Sequence, residues 1–230
     1  MTYIISDIHG EYELFLRLLD KIGFSKTDTL YICGDIIEKG KHSVKLANYI
    51  CRMPNVRCIV GNHEYAFLKY YWGLMQSSPD DFDGVLKKLQ TYFPDDGDLL
   101  DWELIDWLEA LPYYIEEPAF ICVHAGVPLD GQGRMLPLAQ ATPAQLVYDR
   151  NFKEPDTEVI GGKCVFFGHT PTNAITHGAS RVLAYKRAGT RGDNIADYYK
   201  VHLDLGTWMS GLLAAFCVET CQVIYVQREG

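Results

Sequence analysis

Apolar positions along the chain follow two rhythms. Continuous runs rich in β-branched and aromatic residues occur at Tyr3-Ile4-Ile5, Leu30-Tyr31-Ile32-Cys33, Val56-Arg57-Cys58-Ile59-Val60, Phe120-Ile121-Cys122-Val123 and Cys164-Val165-Phe166-Phe167. Short apolar runs of this composition predict buried strands. Between the first three, the spacing becomes helical. Leu14, Leu18 and Ile22 recur every fourth residue, and Val44, Ala47 and Ile50 form a second stripe. Strands alternating with helices over residues 3–60 predict a βαβαβ unit with parallel strands.

Residues 64–112 carry few strand signals. Leu100, Leu104 and Leu108 predict a helix ending before Pro112, so this stretch reads as a helical insertion or cap within one domain spanning 1–230. Pro79-Asp80-Asp81 and Pro94-Asp95-Asp96-Gly97 read as loops. Strand patterns return at Val182-Leu183-Ala184-Tyr185, Val201-His202-Leu203, Leu212 to Val218 and Val223 to Val226, and suggest a second, largely antiparallel sheet. No internal repeat or low-complexity tract is evident.

Composition narrows the class. The 230 residues are 48% hydrophobic and 22% charged, which describes a globular chain and argues against disorder. A net charge of -9 argues against a sequence-independent nucleic-acid binder. It also means that a phosphate site needs local positive charge, which bound cations would supply. Seven cysteines, with no CxxC, fit a reduced, cytoplasmic compartment; Cys33, Cys122 and Cys164 lie inside apolar runs, where buried thiols are common. No signal peptide is read at the N-terminus, and no apolar run reaches membrane-spanning length, so no membrane partner is expected.

The chemistry sits at strand ends. Ser6-Asp7-Ile8-His9-Gly10, Gly34-Asp35, Gly61-Asn62-His63-Glu64, Val123-His124-Ala125-Gly126 and Gly168-His169-Thr170 each begin where an apolar run stops. Ligand sites in open α/β sheets form beyond the carboxyl ends of strands, so these groups converge on one rim. Taken singly, each motif has a plainer reading: a turn or cap residue, or a core histidine. Five coincidences at strand ends outweigh those readings, whereas His42, His177 and His202 have no such context. Carboxylate, carboxamide and imidazole donors suit Mn, Fe, Co, Ni or Zn, with manganese the first expectation. Six candidate ligands, Asp7, His9, Asp35, Asn62, His124 and His169, are too many for one ion with open positions; two ions sharing a carboxylate account for them. Such a pair clamps the attacking and leaving oxygens of a phosphoryl displacement and lowers the pKa of a bridging water, so hydroxide is available near neutral pH. No GxSxG or P-loop motif offers an alternative.

In this order, the motifs resemble the signature of calcineurin-like metallophosphoesterases, and within them the bacterial and phage-type serine/threonine phosphoprotein phosphatases, from Asp7 to about Gly206. The resemblance implies an α/β sandwich of two mixed β-sheets flanked by helices. It implies that Asp7, His9 and His169 hold one metal, that Asp35 bridges, and that Asn62 and His124 complete the second site. His63 becomes the catalytic histidine, oriented by Glu38. Leu146-Val147-Tyr148-Asp149-Arg150 resembles the family's Leu-x-Trp-x-Arg stretch and makes Arg150 a phosphate-binding residue, with Lys39 and Asn62 as further phosphate contacts. Leu203-Asp204-Leu205-Gly206 resembles a late strand-end motif of structural role. Glu38-Lys39-Gly40 departs from the family's usual Asp-Arg-Gly: lysine keeps the charge but loses the bidentate fork.

The activity implied is hydrolysis of phosphoserine, phosphothreonine or phosphotyrosine in proteins, or of small phosphoesters. A symmetrical dinucleoside polyphosphate hydrolase shares these motifs and is the alternative. A metal-binding scaffold without turnover would have lost ligands or His63, and none is missing here.

Overall fold

A computed structural model of the chain describes residues 1–78, 80–93, 96–155, 157–160 and 162–229. Pro79, Pro94 and Asp95, which the sequence assigns to loops, lie outside the described residues. The first half runs β1 (Thr2–Ile5), α1 (Tyr12–Lys21), β2 (Thr29–Ile32), α2 (Ser43–Cys51), β3 (Val56–Cys58), α3 (Asn62–Ser77), α4 (Phe82–Gln90) and α5 (Trp102–Ala110). The second runs β4 (Tyr114–Glu116), β5 (Phe120–Val123), α6 (Pro143–Tyr148), β6 (Cys164–Phe167), α7 (Asn173–Thr176), β7 (Leu183–Lys186), β8 (Tyr198–His202), α8 (Thr207–Ser210), β9 (Leu212–Cys217) and β10 (Val223–Gln227).

The strands form two five-stranded mixed sheets, ordered β10-β9-β1-β2-β3 and β4-β5-β6-β8-β7. β1, β2 and β3 pair in parallel, as the alternating pattern predicts. Continuous apolar strands arise because both faces of each sheet are covered. Ile4, Tyr31 and Cys33 face Phe120, Cys122, Cys164 and Phe166 in the layer between the sheets. Alternate residues point outward: Tyr3, Ile5, Leu30 and Ile32 pack under α1, α2, α3 and α5, and Ile121, Val123, Val165 and Phe167 pack beneath Leu138, Leu146 and Phe152. Val44, Ala47, Ile50, Leu104 and Leu108 are buried as their spacing predicts.

The late strands do not form a sheet of their own. β7 and β8 join the second sheet, where β8 is parallel to β6, and the antiparallel pair β9–β10 returns to the open edge of β1. Strand pattern gives direction and burial but not which unfilled edge a strand will pair with. β4, partly exposed and three residues long, gave no sequence signal at all. Among the described residues no helix is long and apolar enough to cross a membrane.

Candidate active site

The carboxyl ends of the parallel strands from both sheets meet at one rim. β1 and β2 lead into Asp7 and Asp35, the β3 loop into Asn62 and His63, and β5, β6 and β8 into His124, His169 and Asp204. The backbone there is unusual. Eight described non-glycine residues have positive φ, and six of them are Asp7, His9, Asp35, Glu38, Lys39 and His169, with φ from 50° to 71°. Each such residue costs about 1–3 kcal/mol and persists only where the surroundings over-determine it. The buried layers beneath are rigid enough to hold this strain. Two glycines permit the crowding: a Cβ on Gly61 would overlap the Asp35 carboxylate, and one on Gly168 would overlap Asp7 and Ser6.

Asp35 is central. Its Oδ2 lies 3.5 Å from His9 Nε2, 3.5 Å from His124 Nε2 and 3.9 Å from His63 Nε2. Its Oδ1 accepts the His63 N–H at 3.0 Å. His9 Nδ1 faces the Ile37 carbonyl at 3.1 Å and His124 Nδ1 faces the Cys33 carbonyl at 2.8 Å. A carbonyl can only accept, so both rings carry their proton on Nδ1 and turn the Nε2 lone pair toward Asp35. Asn62 Oδ1 lies 2.9 Å from His124 Nε2 and 2.7 Å from His169 Nδ1. Asp7 is buried, hydrogen-bonded to Ser6 Oγ, and accepts the His169 N–H at 3.1 Å.

All six sequence-derived ligands are therefore together, but His169 is not where the sequence grouping puts it. Its backbone touches Asp7, while its ring turns to Asn62 and His124 and away from His9. Its backbone there is left-handed, with φ 71°.

Protonation separates the histidines. Burial lowers His9 to about 4 and His169 to about 3, and lowers His124 as well, so all three are neutral donors. Asp7 is pushed well up by burial and by its neighbours Asp204 and Asp35. Burial opposes the charge on Asp35 too, yet its carboxyl is held below the usual carboxylate range, favoured by the positive charge of His63 when protonated and by the N–H that His63 donates. His63 behaves oppositely to the other imidazoles. Burial would lower it, yet the hydrogen bond from Nδ1 to Glu38 Oε2 and the charge of Asp35 raise it overall.

Glu64, named in the sequence only as the end of its motif, holds the rim together. Its fully buried carboxylate accepts from the backbone N–H of Asp35, Ile36, Ile37 and Gly61 at 2.8–3.0 Å. Glutamate three residues after the cap of a helix is the available signal for this role. Asp204, read as structural, accepts from Gly206 N at 2.7 Å and is buried near enough to Asp7 to oppose its ionisation.

The two basic candidates stand above the cluster. Lys39 Nζ lies 3.1 Å from His9 Nε2. Arg150 is exposed and close enough to His169 to disfavour its protonation. Its loop is fixed from below: Ala125 N donates to Leu146 O at 2.9 Å, and Asp149 Oδ1 caps Asn151 N and Phe152 N at 2.8 and 2.7 Å.

The donor set fits divalent ions. His9, Asp35 and His63 present ligand atoms within 4.8 Å of one another, as do Asp7, Asp35 and His124, and Asp35 belongs to both groups. His169 Nε2 is buried without a hydrogen-bond partner, as a lone pair awaiting a cation would be.

Comparison with known proteins agrees. The family model described as calcineurin-like phosphoesterase matches residues 2–206. Symmetrical bis(5'-nucleosyl)-tetraphosphatases from Aggregatibacter actinomycetemcomitans and Neisseria gonorrhoeae are 32% and 35% identical, over 56% and 54% of this chain and 45% and 43% of theirs. The chain thus spans less than half the length of the curated relatives it matches. A crystal structure provisionally assigned as a diadenosine tetraphosphatase superposes with a TM-score of 0.68 at 19% identity, covering 98% of this chain and 92% of that one.

Proposed function

We propose that this chain, which belongs to the calcineurin-like phosphoesterase family, is a metal-dependent hydrolase that splits dinucleoside polyphosphates symmetrically. The observation that carries the reading is Asp35, whose Oδ2 lies 3.5 Å from both His9 Nε2 and His124 Nε2 while the His63–Glu38 pair stands beside it. The curated relatives, named for this activity, favour dinucleoside polyphosphates over phosphoproteins as substrates. In this reading the correction at His169 carries over. Asp7 and His9 hold one ion with Asp35, and Asn62, His124 and His169 hold the other with the same carboxylate.

Two ions bound there would activate a water and withdraw charge from the phosphoryl group. Water adds to a central phosphorus, the bridging P–O bond breaks, and two nucleoside diphosphates leave. His63, kept charged by Glu38, passes the proton on its Nε2 to the departing oxygen. Glu38 holds Nδ1 and so fixes the tautomer. Lys39, Arg150 and the Asn62 amide contact phosphate oxygens, Lys39 as a point charge and Arg150 as a fork.

The phosphoprotein reading has one observation in its favour. A general acid matters in proportion to the basicity of the leaving oxygen, and seryl or threonyl alkoxide is far more basic than a phosphate. The experiment is a panel on manganese-loaded protein: diadenosine tetraphosphate, a phosphoserine peptide and p-nitrophenyl phosphate, with products resolved by chromatography. Two ADP per diadenosine tetraphosphate, at a kcat/KM well above that for the peptide, is the expected result. Cleavage of the peptide alone, or release of AMP with ATP, would reject the proposal.

A further inference from the structure

The cluster has a run of side-chain contacts from His9 through Asp35, His124 and Asn62 to His169. An exposed aromatic ring stands at each end of that run. At the His9 end is Trp208, 38% exposed, with Lys39 Nζ 5.7 Å from its ring centroid and the same Nζ 3.1 Å from His9. At the His169 end is Tyr148, 42% exposed, its ring 6.4 Å from that of His169. Arg150 is two residues away, on the turn that Asp149 caps.

Neither ring contributes much to the core, and the segment carrying each is tied to its surroundings. Arg228 Nη2 donates to the Trp208 carbonyl at 3.1 Å and to Glu11 at 3.0 Å. Beside it opens a cleft of about 500 Å³ whose lining carries both signs of charge, Arg17, Lys41 and Arg228 with Glu11, Glu13 and Glu229. The Tyr148 ring packs edge-on against Tyr65 at 5.9 Å, and α6 is tied to the His124 loop through Ala125. A half-exposed ring with a cation nearby is what a nucleotide needs: a face for the base and a charge for the phosphates. In a chain of net charge -9 these local cations are the means of attracting a polyanion.

We propose that Trp208 with Lys39, and Tyr148 with Arg150, are two half-sites, each receiving one nucleoside diphosphate half of the substrate, with the base stacked on the ring. The inference rests on the hydrolysis reading above and adds residues that select the substrate. A symmetrically cleaved dinucleotide presents base, sugar and two phosphates on either side of the broken bond. The site offers an aromatic and a cation on either side of Asp35. A phosphoprotein would use neither ring in this paired way.

The test is competition against p-nitrophenyl phosphate on manganese-loaded protein, with diadenosine tetraphosphate and inorganic tripolyphosphate as rivals. Stacking makes the dinucleotide the better competitor in wild type. Trp208→Ala and Tyr148→Ala should each weaken it about tenfold relative to tripolyphosphate. Trp208→Phe and Tyr148→Phe should restore most of the loss. The indole fluorescence that Trp208→Phe removes should be quenched by the dinucleotide and not by tripolyphosphate. An unchanged dinucleotide-to-tripolyphosphate ratio in both alanine variants overturns the inference, and a change in only one overturns its two-sided form. Wild type that prefers the dinucleotide as competitor but leaves it uncleaved would overturn the proposed function while supporting these half-sites.

Discussion

The nest formed by His9, His124 and His169 and the adjoining pair His63–Glu38 use the same side chain in opposite states. In the nest, His9 and His124 are buried and His169 half-buried, their Nδ1 protons are spent on carbonyls or on Asn62, and each has its pKa lowered. His63 is 19% exposed, its Nδ1 meets a carboxylate instead of a carbonyl, and it is driven toward the charged form. Neutral imidazole is a metal ligand; imidazolium is an acid. What separates the two is therefore the acceptor on Nδ1, a carboxylate for His63 and a neutral carbonyl or carboxamide for the others.

The most severe way to break this comparison is Asp35→Asn. It removes the group that both regions share, and the loss should exceed the roughly 100-fold typical of changes one step removed from a metal. Elemental analysis should find two ions per chain in wild type and at most one in the variant. Two ions retained with near-normal turnover would show that Asp35 is not shared.

His63→Ala breaks one side only. Hydrolysis of a phosphoserine peptide, whose leaving oxygen is basic, should fall roughly 10²–10⁴-fold with both ions retained, and that of diadenosine tetraphosphate by less. The loss on p-nitrophenyl phosphate should be clearly smaller. Loss of an ion in this variant would move His63 into the nest.

Glu38→Gln sharpens the contrast through pH. An acid must carry its proton, so activity falls as pH rises through the His63 pKa. Glu38 raises that pKa, so removing its charge should shift the alkaline limb of kcat to lower pH while leaving metal content intact. An unmoved limb would detach Glu38 from this role.

The mildest expected effect is on stability. Glu64→Gln replaces a carboxylate that accepts four backbone N–H groups with an amide that has one oxygen, at a cost of about 1–3 kcal/mol. Urea unfolding of the metal-free variant should show a lower midpoint, and metal affinity should fall as the Asp35 loop loosens. A midpoint equal to wild type would mean the loops hold themselves.

Much of this was legible in the chain. Apolar runs marked β1, β2, β3, β5 and β6, and the polar residues after them supplied all six candidate ligands that the structure brings together, because a strand buried on both faces advertises itself continuously and its end is abrupt. Glu64 was visible but mute: a glutamate at a helix start looks like any capping residue until the four N–H groups around it are seen. Tyr148 entered only as part of a resemblance and Trp208 not at all, since an aromatic in a short segment reads as core unless its exposure is known.

Local sequence thus determined the strands, their order, and which residue types reach the rim, because side-chain period and turn chemistry act over a few neighbours. Tertiary structure alone decided that β9 and β10 close the edge of β1, that the His169 ring turns to Asn62, and that one histidine of the cluster has its pKa raised while three have theirs lowered. Edge pairing and ring direction depend on residues more than a hundred positions apart in the chain, such as His169 and Asn62, and the His63 shift on Glu38, itself on another loop. No local pattern carries that information.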